Sequence, residues 1–367
     1  MKKKAIKLVI FLIVALMIFL GLSEASKDTG ITSLASIKGF YTEPKDTLDV
    51  VLIGASEVYT GYSPIMAWKE HGYTSYDLTS QGIPGSLYKS MLKEALREQN
   101  PKLVVFEING FIYNEDYFKR SGNIHKYIDN MKISQNWLDT IKEIIPDEEQ
   151  NDYLFPISTY HDNWKRPLES IKCTVAKALI KLNGRSNLKG SATFSLCRDQ
   201  KESLKKDDGI MLTDLGRKYL QELCETCQEE GVENVLFVRF PHLRKVKNKD
   251  VYPEIEKIVN SYGYEFLNMT DYEEFGLDKD HDFYNRDHLN YHGCKKFTSY
   301  FSGYLAEKYE LPAKHDEQIE KQWASCAENA EKIFAQCEED FEKGEVRHYT
   351  EISCYFKARL RNPKPDK

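Results

Sequence analysis

The chemistry that this sequence suggests begins at Ser56. This serine follows the apolar run Val50–Ile53, whose shortness and β-branched residues predict a buried strand. Gly54 ends the run and allows the backbone to turn sharply. Ligands of open α/β sheets bind at the carboxyl ends of the strands, so the Ser56 hydroxyl is suitably placed to act as a nucleophile. The alternative is a structural serine that caps the helix after the strand.

A second polar segment, residues 282–293, supplies the other groups of a catalytic triad. It reads Asp-Phe-Tyr-Asn-Arg-Asp-His-Leu-Asn-Tyr-His-Gly and precedes an amphipathic pattern. His288 is the candidate general base, and Asp282, Asn285 and Asp287 are the candidates to orient its ring. Together, the two segments predict serine-dependent acyl transfer or ester hydrolysis.

This pair of segments resembles the SGNH (GDSL-like) hydrolase family, and most of all its membrane-anchored branch, which is often associated with extracellular O-acyl transfer. The closing segment is similar to that branch's Asp-Phe-x-x-x-x-His-Leu-Asn-x-x-Gly. The opening segment is similar to its Gly-x-Ser-x-x-Tyr followed by a proline, here Gly54, Ser56, Tyr59 and Pro64. The resemblance covers residues 48–308, with an interruption in the middle.

The resemblance implies roles for further residues. The backbone N–H groups of Ser56 and Gly82 would hold an oxyanion, together with the side-chain amide of Asn109. A turn glycine and an Asn-Gly turn are the structural interpretations of the last two. The family's acid lies three residues before the histidine, where this chain has Asn285. Because an asparagine adds no charge, a Ser-His dyad, a triad with a displaced aspartate and an impaired site remain alternatives.

Three residues are candidates to bind substrate. Tyr59 belongs to the opening segment, and Arg239 follows the fourth predicted strand. Trp164 lies in an aromatic and polar piece of the interrupting insertion, where a packed surface loop is the alternative. The resemblance implies a cell-envelope polysaccharide as acyl acceptor, a polytopic membrane O-acyltransferase as a possible partner, and neither a metal nor a cofactor. The alternative function is an impaired, membrane-anchored binding or scaffold protein on the same fold.

The N-terminus predicts export to the cell membrane. Four lysines occur in the first seven residues, before the apolar run Leu8–Leu22. Such a segment is a signal peptide or an uncleaved signal anchor, and its lysines stay in the cytoplasm. We therefore expect a single-pass protein with an extracytoplasmic domain, or a secreted one if cleavage occurs near Ser23–Ala25.

The order of patterns along the chain predicts the fold. Short apolar runs at 50–54, 74–78, 103–108, 234–238 and 264–267 alternate with helical patterns. This alternation predicts a mostly parallel sheet in a three-layer α/β/α, flavodoxin-like sandwich. The predicted organisation is a signal segment at 1–25, a linker at 26–48, the α/β domain at 49–310 with an insertion at about 111–205, and a helical appendage at 311–367. The net charge of −6 provides no basic footprint for nucleic acid.

Overall fold

The structure is a computed structural model that describes residues 2–165, 167–197 and 209–355. Within these ranges the strands are β1 (Val50–Gly54), β2 (Ser75–Thr79), β3 (Leu103–Glu107), β4 (Thr193–Phe194), β5 (Val235–Arg239), β6 (Glu265–Asn268) and β7 (His348–Tyr349). Five of them form one sheet in the order β2-β1-β3-β5-β6, and every pairing in it is parallel. The predicted α/β class with a mostly parallel sheet is therefore confirmed.

Helices connect and flank the strands. In the described residues they are α1 (Lys2–Ser26), α2 (Ile31–Phe40), α3 (Ser56–Gly61), α4 (Pro64–His71), α5 (Tyr88–Glu98), α6 (Glu115–Phe118), α7 (Ser121–Ile128), α8 (Gln135–Ile144), α9 (Gln150–Leu154), α10 (Ile157–Tyr160), α11 (Pro167–Asn183), α12 (Asp214–Glu229), α13 (Val251–Ser261), α14 (Tyr291–Lys308) and α15 (Glu317–Glu342). Each of the five predicted runs lies within one residue of a strand of the main sheet.

The central strand β1 is apolar on both faces because both faces are covered. Side chains alternate across a strand, so Val51 and Ile53 join one buried cluster, which includes residues of α5 and α12. Val50 and Leu52 join a second cluster with residues of α14. A parallel strand buried on both faces is expected to be a nearly continuous apolar run, and this explains the signal in the sequence.

The segment 26–48, predicted as a linker, is instead part of the folded domain. It contains α2, on which Leu34, Ile37 and Phe40 are buried. Their spacing of three residues places them on neighbouring positions of one helix face. The hydroxyl of Ser36 also donates to a backbone carbonyl of β2 at 2.7 Å. This helix escaped prediction because its pattern is short and carries several small polar residues.

The C-terminal segment was predicted to be a helical appendage, but its described part, up to residue 355, is helical only in part. Helix α15 is present and buries Trp323 and Ile333. After it, β7 pairs antiparallel with β4, which belongs to the predicted insertion. The backbone N–H and hydroxyl of Ser195 and the backbone of Arg347 exchange hydrogen bonds of 2.8–3.0 Å next to this pair. Two distant pieces of chain therefore meet in one short ladder.

Helix α1 is long and apolar enough to cross a membrane. Its apolar side chains are exposed, whereas Ser23 in the last two turns is buried against the rest of the protein. An exposed apolar helix of this length is typical of a membrane anchor or a signal sequence.

Candidate active site

Ser56 is the first residue of α3, directly beyond the carboxyl end of β1. The first N–H groups of a helix have no acceptor within it, so the Ser56 N–H is suited to receive an oxyanion. Glycine is required just before this turn. A Cβ atom at Gly54 would come within 2.5 Å of Val58 Cγ2 and 3.1 Å of Glu107 Cβ.

The structure brings Ser56 and His288 together. Ser56 Oγ lies 2.7 Å from His288 Nε2, which is the contact of a serine nucleophile with its base. His288 stands in the loop between β6 and α14, where Phe283 and Leu289 form an antiparallel bridge. The Tyr284 N–H donates to the His288 carbonyl at 2.9 Å and folds the loop back. These local bonds direct the imidazole towards the serine.

Asn285 orients the ring of His288. Its Oδ1 accepts the backbone N–H groups of Asp287 at 2.8 Å and His288 at 3.0 Å, and it lies 3.0 Å from His288 Nδ1. Two backbone donors identify this atom of the amide as the oxygen, so the neighbouring Nδ1 must carry the proton. His288 Nε2 is then unprotonated and faces the serine hydroxyl. The side chain sets the tautomer of a general base, but it is uncharged.

Asp287, a predicted alternative orienter, forms an ion pair with Arg244. Burial opposes ionisation of the Asp287 carboxyl, but the neighbouring positive charges, with Arg244 first among them, together lower its pKa below the usual range. The carboxylate lines the same cavity as His288 without replacing Asn285 on the ring.

Asp282, the other predicted aspartate, has a structural place. It is fully buried, and its carboxylate lies 2.7 Å from both Lys296 Nζ and His281 Nδ1. It also accepts the backbone N–H of Asp278 at 2.8 Å. Burial opposes ionisation of Asp282, but its bonds to Lys296, Asp278 and His281 together lower the pKa of the carboxyl. These bonds tie the loop to α14 and leave the orientation of the imidazole to Asn285.

Gly82 and Asn109, the predicted oxyanion donors, line one cavity with Ser56. Gly82 has a φ of +64°, and a Cβ there would meet Asn123 Nδ2 at 2.7 Å, so both backbone and space favour glycine. Asn109 is buried, and its Oδ1 accepts the Tyr113 hydroxyl at 2.9 Å. The amide NH₂ of Asn109 is therefore the group that can donate a hydrogen bond to an oxyanion.

Arg239, predicted as a substrate contact, lies under the site instead of in it. It is fully buried, and its Nη1 lies 2.6 Å from Glu107 Oε1. Glu107 Oε2 in turn accepts the Asn109 N–H at 3.0 Å. Burial raises the pKa of the Glu107 carboxyl, and Arg239 opposes that rise. The ion pair holds the end of β3, and with it Asn109.

Tyr59 and Trp164 are the other two residues that were predicted to contact substrate. Tyr59 is buried, and burial raises the pKa of its hydroxyl above the usual range. Its side chain does not line the cavity. Trp164 belongs to a short 3-10 helix, His161–Lys165, and its side chain lies outside the described residues.

The cavity at the serine has a volume of about 400 Å³ and is polar. Sequence reasoning missed much of its lining, which includes Glu57, Tyr113, Tyr117, Arg120, Arg244 and Arg286. Glu57 Oε2 is 3.3 Å from Ser56 Oγ. The sequence held a signal for two of these residues. Arg286 lies in the closing polar segment, and Arg244 lies in the loop after β5, close to Arg239.

A stack of three rings, Tyr284, Phe194 and His348, which we call the ring wall, lies beside His288. Phe194 of β4 is stacked between Tyr284 and His348 of β7, with ring centroids 3.7 and 4.3 Å away. The Phe194 ring lies 6.2 Å from the His288 ring. Burial, with a smaller effect of His288, lowers the pKa of His348 to about 4. The β4–β7 ladder thus brings two remote segments next to His288.

The geometry unites a serine, a histidine of fixed tautomer and two further groups suited to an oxyanion. No protein-family model matches this chain in a scan against such models. A search of curated proteins finds no match to it either.

Proposed function

We propose that this protein is an extracytoplasmic serine esterase or O-acyltransferase that acts on cell-envelope polysaccharide through an acyl-enzyme on Ser56. One observation carries the proposal: Ser56 Oγ is 2.7 Å from His288 Nε2, while Asn285 Oδ1 is 3.0 Å from Nδ1 of the same ring. A serine that only caps a helix has no need of an imidazole held in one tautomer.

The reaction proceeds in two halves. In the first, Ser56 Oγ attacks the acyl carbonyl while His288 Nε2 takes the hydroxyl proton, a contribution of about 10²–10⁴-fold. The N–H groups of Ser56 and Gly82 and the amide of Asn109 stabilise the oxyanion, with each donor worth about 10²–10³-fold. The intermediate then collapses to the acyl-serine, and His288 returns the proton to the departing alcohol.

In the second half, a sugar hydroxyl or water takes the place of that alcohol. His288 Nε2 removes its proton as its oxygen attacks the acyl-serine. The tetrahedral intermediate collapses, and the released Ser56 Oγ recovers the proton from the imidazolium. A sugar hydroxyl yields acyl transfer, and water yields ester hydrolysis. Asn285 orients the ring in both halves but offers no negative charge to the imidazolium.

The lining of the cavity favours a polar substrate. Three guanidinium groups, of Arg120, Arg244 and Arg286, surround the space at Ser56, and Glu57 adds a carboxyl group next to the serine. A lipase that held a long acyl chain would need an apolar cleft here. A short acyl group on a hydrated glycan suits these walls better.

The proposal extends to the architecture and the location. The strand order β2-β1-β3-β5-β6, with a buried cluster on each face of β1, supports a three-layer, flavodoxin-like sandwich. Helix α1 supports a single-pass anchor, and the lysines that precede its apolar run favour a domain outside the cytoplasm. A polytopic membrane O-acyltransferase would be a suitable source of the acyl group.

A second candidate is a catalytically impaired binding protein on the same fold. The observation that favours it is the neutral amide of Asn285 on His288 Nδ1, where a carboxylate would stabilise the imidazolium. Because the amide still sets the correct tautomer, we favour the enzyme.

The test is the reaction of the full chain, in detergent micelles, with p-nitrophenyl acetate. We expect nitrophenol release by the wild type and none above background by Ser56→Ala. Ser261→Ala is the matched control, because Ser261 is exposed on α13, and it should react like the wild type. Asn285→Asp should be faster by about tenfold, since a charged hydrogen bond to the imidazolium is stronger than a neutral one.

The outcomes separate the two candidates. Release by the wild type that disappears in Ser56→Ala supports the acyl-enzyme. Release by Asn285→Asp alone supports the impaired protein and rejects the enzyme. Equal release by the wild type and Ser56→Ala would show that the serine is not the nucleophile.

A further inference from the structure

Helix α11 has two apolar faces, and only one of them is buried. Cys173, Ala176 and Ile180 pack against α2 in a small buried cluster. A second set of apolar side chains is exposed: Leu168, Ile171, Val175 and Leu182. Leu168 and Leu182, at its two ends, are 70% and 83% exposed. We call these four residues the α11 stripe.

The α11 stripe is continuous. At about 100° per residue, its four members fall within an arc of about 60° on the far side of the helix from Ala176 and Ile180. Single exposed apolar residues are common on protein surfaces, but an aligned set along a whole helix is typical of an interaction face.

The end of α1 contacts α11 on a different side, and these contacts set the position of α11 relative to α1. Lys177 Nζ lies 2.7 Å from Glu24 Oε1, and the Ser170 hydroxyl donates to the Ser26 carbonyl at 3.3 Å. Ser170 and Lys177 are about 10 Å apart along α11, yet both contact the last turn of α1. Helix α11 therefore runs across the end of α1 and not along its side.

The length of the apolar part of α1 sets the depth of this crossing. Residues 5–22 span about 27 Å as a helix, slightly less than the roughly 30 Å of a bilayer's hydrocarbon core. Glu24 and Ser26 lie only about 3 and 6 Å beyond Leu22 along the helix axis. The layer of lipid headgroups is about 5–8 Å thick on each side. The contacts with α11 fall within that layer.

We propose that α11 lies in the interfacial layer of the membrane that α1 crosses, with the α11 stripe in contact with lipid. The inference rests on α1 crossing a bilayer and is independent of the acyl chemistry. A helix in this layer buries its apolar face about 5–10 Å into the boundary between headgroups and acyl chains. Exposed Lys181, near the end of α11, is suited to anionic headgroups. Two contacts, α1 and α11, then fix the orientation of the domain on the membrane.

The test uses the full chain in nanodiscs of phosphatidylcholine and phosphatidylglycerol, with lipids brominated in the upper acyl chain. Bromine quenches tryptophan on contact. The probes are Leu182→Trp and Leu168→Trp, one at each end of the α11 stripe. Every variant also carries Trp164→Phe. Trp164 precedes α11 in the sequence, and its own fluorescence would otherwise be mixed with that of the probes. The matched control is Glu328→Trp, at an exposed position of α15. Because α1 anchors all variants equally, the difference between them reports the α11 stripe alone.

We expect brominated lipid to reduce the fluorescence of each added stripe tryptophan about twofold, as for a side chain within the interfacial layer. The fluorescence added by Glu328→Trp should be unchanged. Equal, weak quenching at all three positions would overturn the proposal. That result is also the one expected if the α11 stripe binds another protein, because these discs contain only lipid and this chain. Both probes replace exposed side chains, so folding should be retained.

Discussion

The two halves of the candidate site are held in place by different means. The strand half, which consists of Ser56, Gly82 and Asn109, stands at the carboxyl ends of β1, β2 and β3. The loop half, which consists of Asn285 and His288, stands on the irregular segment between β6 and α14. Strand ends are aligned by the parallel ladder itself, whereas the loop depends on individual hydrogen bonds. The strand half is therefore tied to the core, and the loop half can change without unfolding the sheet.

The two asparagines illustrate this difference. Asn109 has its Oδ1 occupied by the Tyr113 hydroxyl, so it offers a donor to the cavity. Asn285 has its Oδ1 fixed by two backbone N–H groups, so it offers an acceptor to the His288 ring. One residue type thus serves a developing anion in one half and an imidazole proton in the other. The partner that fixes the amide decides which role it has.

The largest expected effect comes from the ion pair under the strand half. Glu107→Gln leaves Arg239 charged and buried without its partner, and this should lower the free energy of unfolding by about 3–5 kcal/mol. The measurement is thermal unfolding of the full chain in micelles. The matched control is Glu254→Gln, which breaks the 2.6 Å pair of Glu254 with half-exposed Arg217. Surface pairs contribute about 1 kcal/mol or less.

The double variant Glu107→Gln/Arg239→Met tests whether the unpaired charge of Arg239 is the cause of the instability. Removal of both charges eliminates the uncompensated guanidinium, so much of the lost stability should return. If Glu107→Gln were no more harmful than Glu254→Gln, the strand half would not depend on its buried ion pair.

The second effect concerns catalysis in the strand half. Asn109→Ala removes an oxyanion donor and should lower kcat for p-nitrophenyl acetate by about 10²–10³-fold. Tyr113→Phe removes only the hydroxyl that fixes the Asn109 amide, so kcat should fall less in this variant. Thermal unfolding of both variants serves as the control for folding. An unchanged kcat in Asn109→Ala would mean that the oxyanion is held by backbone N–H groups alone.

The strand half was largely predictable from the sequence. Apolar runs flanked by turn residues locate the strands, and the first polar residues after them locate Ser56 and Asn109. Arg239 has the same kind of position, yet it points under the sheet end towards Glu107. Sequence position identifies a strand end, but the partner of a side chain depends on its neighbours in space.

The loop half was predictable only in its residue types. Three candidates to orient His288 lie within six residues of it, and spacing alone does not rank them. The choice of Asn285 depends on backbone N–H groups that the folded loop directs at its amide. The ring wall was missed because β4 and β7 have two residues each, which is too short for a periodic signal.

The smallest expected effect is a pH dependence at the ring wall, beside the loop half. The pKa of His348 is lowered to about 4 by burial, below the ordinary value of 6.5. As the pH falls below about 6.5, the unfolded chain binds a proton at this histidine that the folded protein excludes. The contribution of His348 to the free energy of unfolding is therefore complete above that pH and decreases towards pH 4. The decrease is at most about 2 kcal/mol at pH 5.

The variant His348→Gln should flatten this dependence, because glutamine does not titrate. Thermal unfolding of the full chain at pH 7 and pH 5 measures the difference between the wild type and the variant. His161→Gln is the matched control, since His161 is exposed and its loss should leave the pH dependence unchanged. If the variant lost as much stability as the wild type between pH 7 and pH 5, another group would be the source of the acid sensitivity. A flattened dependence would locate the acid sensitivity in the ring wall, which is built from distant pieces of chain.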